Sequence, residues 1–111
     1  MVGVIQDETK TLTLAEITRR EVDYCAGETN GGKLYAVLDD VNQVYAIIYV
    51  TDDHKTYVDV MARIEDDKVI IERDGALDNP LYEALMVNGG VPREKIVLAY
   101  KGEALPDNSK S

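Results

Sequence analysis

The sequence has no tryptophan or phenylalanine, one histidine, three prolines and a single cysteine among its 111 residues. Because Cys25 has no second cysteine to pair with, an internal disulfide is excluded and a reducing, cytoplasmic location is expected. No apolar run approaches the roughly 18 residues of a membrane span. Residues 1–7 are too short and too acidic a segment for a signal peptide. We therefore expect no association with membranes.

Positive charge is also scarce: 12 Lys and Arg residues face 21 Asp and Glu residues, for a formal net charge of −9. Residues 1–32 hold 3 basic and 6 acidic residues, residues 33–73 hold 5 and 9, and residues 74–111 hold 4 and 6. No segment offers the basic patch on which DNA affinity depends, so direct nucleic-acid binding is not expected. The acidic excess either keeps a small protein soluble or forms a surface for a basic partner protein, and composition does not separate the two.

What is present is the composition of a small globular protein. The mass of 12.3 kDa predicts one domain, and 45% hydrophobic residues are enough for a core without disulfides or metals. We expect a single domain over residues 1–111. Residues 1–12 and 104–111 lack a sustained apolar period and are expected to be flexible.

The first regular element is a helix. Thr13 and Glu16 have the spacing of a capping box, which predicts a helix over residues 13–25. Its apolar stripe is narrow and contains a charged residue; the stripe consists of Leu14, Ile17, Glu21 and Cys25. The glycine-rich segment 27–32 predicts that the helix ends there.

Four strand-like runs follow. They cover residues 33–38, 43–50, 57–64 and 68–73. The third run alternates cleanly, which predicts that Val58, Val60, Ala62 and Ile64 face inward. A second helix follows, with Asp78 as its cap and Pro80 in its first turn, and a last strand covers residues 96–100. The predicted fold is an α+β domain in the order α-β-β-β-β-α-β, an antiparallel-rich β-meander with two helices.

The second run, residues 43–50, is apolar on both faces, which predicts a central strand. Tyr45, Ile47 and Tyr49 share one of its faces. Two short helices cover one side of a meander well, so we expect the other side to be closed by a second copy of the chain, with these three residues as the partner interface. The alternative is that a helix and the N-terminal segment cover this face.

Candidate catalytic chemistry is sparse. His54 follows two acidic residues, Asp52 and Asp53, and Glu72 and Asp74 end a strand. Together His54, Glu72 and Asp74 would be the first suspects in a metal-dependent hydrolase or nuclease. However, neighbouring residues on a loop rarely converge on one ion. Cys25 has no histidine near it in sequence, and a helix C-terminus raises the pKa of a thiol. We therefore predict no catalytic residues, no metal site and no cofactor.

Three stretches carry a resemblance to a known family: residues 69–74 (VIIERD), residues 80–85 (PLYEAL) and residues 90–100 (GVPREKIVLAY). They resemble the XisI family, named after a controlling factor for excision of the fdxN DNA element in heterocyst-forming cyanobacteria. The resemblance extends over residues 33–103. It implies an α+β fold and a non-enzymatic regulatory protein that acts through protein contacts, with an XisH-like companion or the recombination machinery as partner. The hydrolase or nuclease acting on nucleic acid is the alternative.

Overall fold

A computed structural model describes residues 12–75 and 79–105. The segments expected to be flexible, 1–12 and 104–111, lie largely outside these ranges. The helices are α1, Leu14–Tyr24, and α2, Leu81–Val87. The strands are β1, Gly27–Thr29; β2, Gly32–Asp39; β3, Val44–Thr51; β4, Thr56–Glu65; β5, Lys68–Asp74; and β6, Ile96–Leu98. Single 3₁₀ turns, Arg93–Lys95 and Ala99–Lys101, flank β6.

All six strands form one sheet, whose spatial order is the chain order β1-β2-β3-β4-β5-β6. The first five strands pair antiparallel, and β6 pairs parallel to β5 after the crossover through α2. The predicted α+β class is therefore confirmed, with one strand more than expected. Both helices pack on one face of the sheet, so the fold has two layers.

The additional strand, β1, lies in the segment that sequence analysis interpreted only as a helix stop. The two residues Asn30 and Gly31 connect it to β2, and Thr29 pairs with Gly32 across the connection. Gly32 has a packing reason as well: a Cβ there would lie 2.6 Å from Cε1 of Tyr49. The ring of Tyr49 therefore lies against the backbone of this hairpin.

The N-terminus of α1 has the predicted capping box. The Glu16 N–H donates to Oγ1 of Thr13 at 3.1 Å, and the Thr13 N–H donates to Oε1 of Glu16 at 2.8 Å. The buried side of the helix is centred on Thr18 and Val22, both fully buried. The Thr18 hydroxyl donates to the Leu14 carbonyl at 2.8 Å, which satisfies it inside the core.

A β-bulge in β4 corrects one predicted orientation. Ile47 pairs with Val60 but Ile48 pairs with Val58, so Asp59 is an extra residue in the ladder. Because side chains alternate with a period of two, the extra residue moves Val58 to the opposite face. Val60 and Ala62 are buried as predicted, whereas Val58 is 43% exposed.

The start of α2 also differs from the prediction. The helix begins at Leu81, with Pro80 as its N-cap residue, and the predicted cap Asp78 lies outside the described residues. The carboxylate of Asp74, at the end of β5, accepts the Leu81 N–H at 2.7 Å. A strand residue therefore satisfies one of the unpaired donors of this helix.

The core lies between the helices and the sheet. Its buried members from the sheet are Tyr45, Ile47, Val60, Ala62, Val69, Ile71, Ile96 and Leu98. The helices approach each other closely where α2 ends: a Cβ on Gly89 would lie 2.5 Å from Cγ2 of Ile17. Glycine at this position lets α1 and the end of α2 form one continuous layer over the sheet.

Candidate protein-interaction surfaces

The three residues predicted as a partner interface lie on the helix-covered face of the sheet. Tyr45 and Ile47 are 1% and 0% exposed, because α1 packs over them within the single chain. The Tyr45 hydroxyl donates to Oδ1 of Asp40 at 3.1 Å. Tyr49 is only partly buried and stacks on Tyr57 with ring centroids 6.4 Å apart. The packing of α1 over Tyr45 and Ile47 agrees with the helix part of the alternative named above, whereas the N-terminal segment of that alternative lies largely outside the described residues.

The opposite face of the sheet carries a contiguous set of apolar side chains, which we call the open face. Its members are Tyr35, Val37, Ala46, Ile48, Val58 and Met61. The strand register places them side by side, since Tyr35 pairs with Ile48 and Val37 pairs with Ala46. Tyr35, Val37 and Val58 are 46%, 51% and 43% exposed. Both described helices pack on the other face, so these side chains have no helix above them.

Charge on this side of the sheet is balanced. The strand register and the Arg63–Glu72 ion pair place four basic and four acidic residues on the open side: Lys33, Arg63, Lys68, Arg73, Glu28, Asp39, Glu65 and Glu72. Several of them are tied to each other, since Arg63 binds both Glu65 and Glu72. The net charge of −9 therefore arises from other parts of the chain.

A second surface lies between the two helices, where Glu21 is 7% exposed. Its Oε2 accepts from Nε of Arg20 at 3.1 Å, and its Oε1 accepts from Nδ2 of Asn88 at 3.2 Å. Arg20 also donates through Nη2 to the Asn88 carbonyl at 3.4 Å. These bonds join the last turns of α1 and α2. Next to them is a cavity of about 220 Å³ lined by both helices, which we call the interhelical cleft.

Cys25 lines the interhelical cleft, and the pKa of its thiol depends on the charges around it. Burial is the main cause that raises the pKa of the Cys25 thiol, followed by the negative charges of Asp74, Asp59 and Glu21. The predicted direction of the shift is therefore confirmed, although burial and carboxylates are its causes. The thiol stays protonated near neutral pH, which opposes a nucleophilic role.

The residues of the hydrolase alternative are dispersed. Asp74 faces the helices, where it caps α2. Glu72 lies on the other face, where it accepts from Nε of Arg63 at 2.8 Å. His54 belongs to the turn between β3 and β4 and has a positive φ of 67°. Asp74 pairs with Val60, well inside β4, which puts it on the order of 13 Å along the strand from that turn.

Within residues 12–75 and 79–105, no three His, Cys, Asp or Glu side chains cluster in a way that could hold a metal ion. Neither α1 nor α2 is long and apolar enough to cross a membrane.

The sequence pattern predicts a sheet face closed by a second copy but assigns Tyr45, Ile47 and Tyr49 to it, and the interhelical cleft was missed, although each surface left a signal. In β2 every residue from Leu34 to Leu38 is apolar, so both faces of the strand are apolar, which indicates that one apolar side is left uncovered. In α1 a glutamate, Glu21, interrupts the apolar stripe, which indicates a buried carboxylate. Tyr24 and Val87 carry no such signal, because their exposure depends on where each helix ends.

The comparisons with known proteins agree with this architecture. A family model described as XisI protein matches residues 8–108. Among solved structures, the chain is similar to an XisI-like protein from Anabaena variabilis, with 25% identity over 74% of each chain and a TM-score of 0.53.

The chain is also similar in fold to the fdxN element excision controlling factor XisI from Anabaena variabilis. That similarity covers 82% of this chain and 86% of the other, with 17% identity and a TM-score of 0.55. No significant match was found among curated proteins.

Proposed function

Because the chain belongs to the XisI family, we propose that it is a non-enzymatic accessory protein that acts by binding other proteins. The role printed for the Anabaena protein of similar fold is control of fdxN element excision. By extension, this chain assists a DNA rearrangement in the cytoplasm together with a companion protein, such as an XisH-like protein or the recombination machinery. The observation that carries the proposal is the open face, an apolar surface with no described helix above it.

We further propose that a second copy of the chain occupies the open face. Burial of exposed side chains such as Val37, which is 51% exposed, stabilises the dimer by about 25 cal/mol for each Å² of apolar surface removed from water. The balanced charge supports a second copy over a basic partner. Two acidic copies repel each other least where their surfaces carry no net charge, whereas a basic partner would favour an acidic surface. A two-fold arrangement that packs sheet on sheet is the common solution.

The dimensions of the open face determine the expected size and affinity of the dimer. The open face lies on the three strands β2, β3 and β4, and strands about eight residues long and about 4.8 Å apart give it a size of roughly 15 by 25 Å. Two such faces bury roughly 750 Å² in total, which is below the standard size of specific interfaces, so we expect a weak dimer with a micromolar dissociation constant. At tens of micromolar, light scattering should give twice the chain mass of 12.3 kDa.

The test compares two valines that lie close together in sequence. Val37→Asp places a charge on the open face and should give a monomer with an unchanged circular dichroism spectrum. Val41→Asp adds the same charge at a position 91% exposed in the turn between β2 and β3, and should leave the dimer intact. A monomeric wild type would overturn the self-association.

A third variant separates the two predicted interfaces. Tyr49→Asp alters the helix-covered face at Tyr49, which is partly exposed, whereas Tyr45 and Ile47 are buried. A dimer that resists Val37→Asp and is lost with Tyr49→Asp would place the interface at Tyr49 and overturn the open-face proposal.

A further inference from the structure

Two large side chains at the rim of the interhelical cleft are almost fully exposed to solvent. Tyr24, the last residue of α1, is 86% exposed, and Val87, the last residue of α2, is 82% exposed. Both side chains line the cavity of about 220 Å³, and together they present an aromatic ring and an aliphatic side chain to solvent beside it. A cavity of this volume has room for one long side chain from another molecule, since a water molecule takes about 30 Å³.

The charge inside the cleft is negative. Glu21 and Glu83 both line it and no Lys or Arg among the described residues does, although Arg20, just outside the lining, forms an ion pair with Glu21 at 3.1 Å and offsets part of its charge. The carboxylate of Glu21 uses one acceptor site on each oxygen, for Arg20 and Asn88, and a carboxylate has about four such sites. The carboxylates that raise the pKa of Cys25 act on the same space. A cation entering the cleft would therefore find free acceptor sites and a favourable field.

We propose that the interhelical cleft receives an arginine or lysine side chain from a basic segment of another protein. The cation lies against the Glu21 and Glu83 carboxylates, and the ring of Tyr24 covers it as an aromatic face covers a cation. The apolar part of the segment packs on Tyr24 and Val87. These two exposed side chains favour a protein segment over a free cation, because a small polyamine would leave them in water. This surface is separate from the open face and does not depend on the dimer.

The test uses three probes and the full chain. A short fluorescent peptide of arginine, alanine and leucine is titrated by fluorescence anisotropy, beside the same peptide with glutamine for arginine. Spermidine, a cation without an apolar part, is titrated by following the amide resonances of Tyr24 and Asn88. We expect only the arginine peptide to bind, with saturation at a single site.

Matched variants locate the binding. Glu21→Gln should weaken the arginine peptide about tenfold, the size of a lost charge-assisted hydrogen bond. Tyr24→Ser, at an exposed position that does not support the fold, should weaken it about fivefold. Glu28→Gln removes the same charge from β1, and Val41→Ser removes an equally exposed side chain from a turn; both should bind as the wild type does.

Three results would overturn the proposal. The first is that the arginine peptide does not bind. The second is that Glu28→Gln weakens it as much as Glu21→Gln does, because binding would then follow total charge alone. The third is that spermidine binds as tightly as the peptide, because the apolar rim would then contribute nothing. None of these results concerns the dimer, so the two proposals fail independently.

Discussion

At the scale of single residues, Cys25 gives a dependence of stability on pH. Burial and three carboxylates raise the pKa of its thiol in the folded chain above that in the unfolded chain. The stabilisation is therefore fully present below the unfolded pKa and is lost as the pH rises through the folded pKa.

We expect the free energy of unfolding to fall with rising pH in the alkaline range more steeply for the wild type than for Cys25→Ala. Urea titrations at a series of pH values measure this difference. In parallel, iodoacetamide should modify the native thiol more slowly than the urea-unfolded thiol at the same pH. Equal slopes in the two proteins would contradict the shifted pKa.

Single residues also mark the limit of prediction from the sequence. Glu72 and Asp74 are two positions apart, so simple alternation would put them on one face of β5. The structure separates them, because the pairing register shifts between Met61 and Ala62 and leaves Glu72 without a partner in the ladder. A bulge depends on the fit between two strands, and a single sequence does not contain that information.

At the scale of elements, the cap of α1 lends itself to a quantitative test. Thr13→Ala removes the oxygen that accepts the Glu16 N–H, and we expect it to lower the free energy of unfolding by about 1 kcal/mol. Thr13→Ser keeps that oxygen and should unfold within a few tenths of a kcal/mol of the wild type. Urea unfolding followed by circular dichroism measures both. Equal losses would show that the methyl group, rather than the cap, stabilises the helix.

The elements were predictable where a local signal exists and were missed where tertiary contacts decide. The capping box at Thr13 and the four central strands follow from spacing and alternation, and all are present. The three-residue strand β1 was missed, because its residues are exposed and only the Asn30-Gly31 pair marks the hairpin. The cover over Tyr45 and Ile47 was assigned to a second copy rather than to α1, because a helix of 11 residues can lie on either face of a sheet.

At the scale of the whole molecule, net charge and the proposed interface have opposite effects on association. Each copy carries −9, whereas the open side of the sheet holds equal numbers of basic and acidic residues. The repulsion between copies therefore comes from charges outside the interface. Salt at 0.15 M screens such charges when they are more than about 8 Å apart.

We expect sodium chloride to strengthen the dimer, which sedimentation equilibrium at low and at physiological salt measures. Val37→Asp should stay monomeric at both salt concentrations. Weaker association at higher salt would mean that ion pairs across the interface, rather than apolar contact, hold the copies together.

The identity between spatial order and chain order in the sheet also bears on how the chain folds. Each antiparallel strand pairs with the strand that precedes it, so the loops that must close are short and the entropy cost of each closure is small. Only β6 reaches its neighbour over a longer crossover, through α2. Pairing between strands adjacent in sequence favours assembly one hairpin at a time, so we expect the meander to form before the C-terminal strand is added.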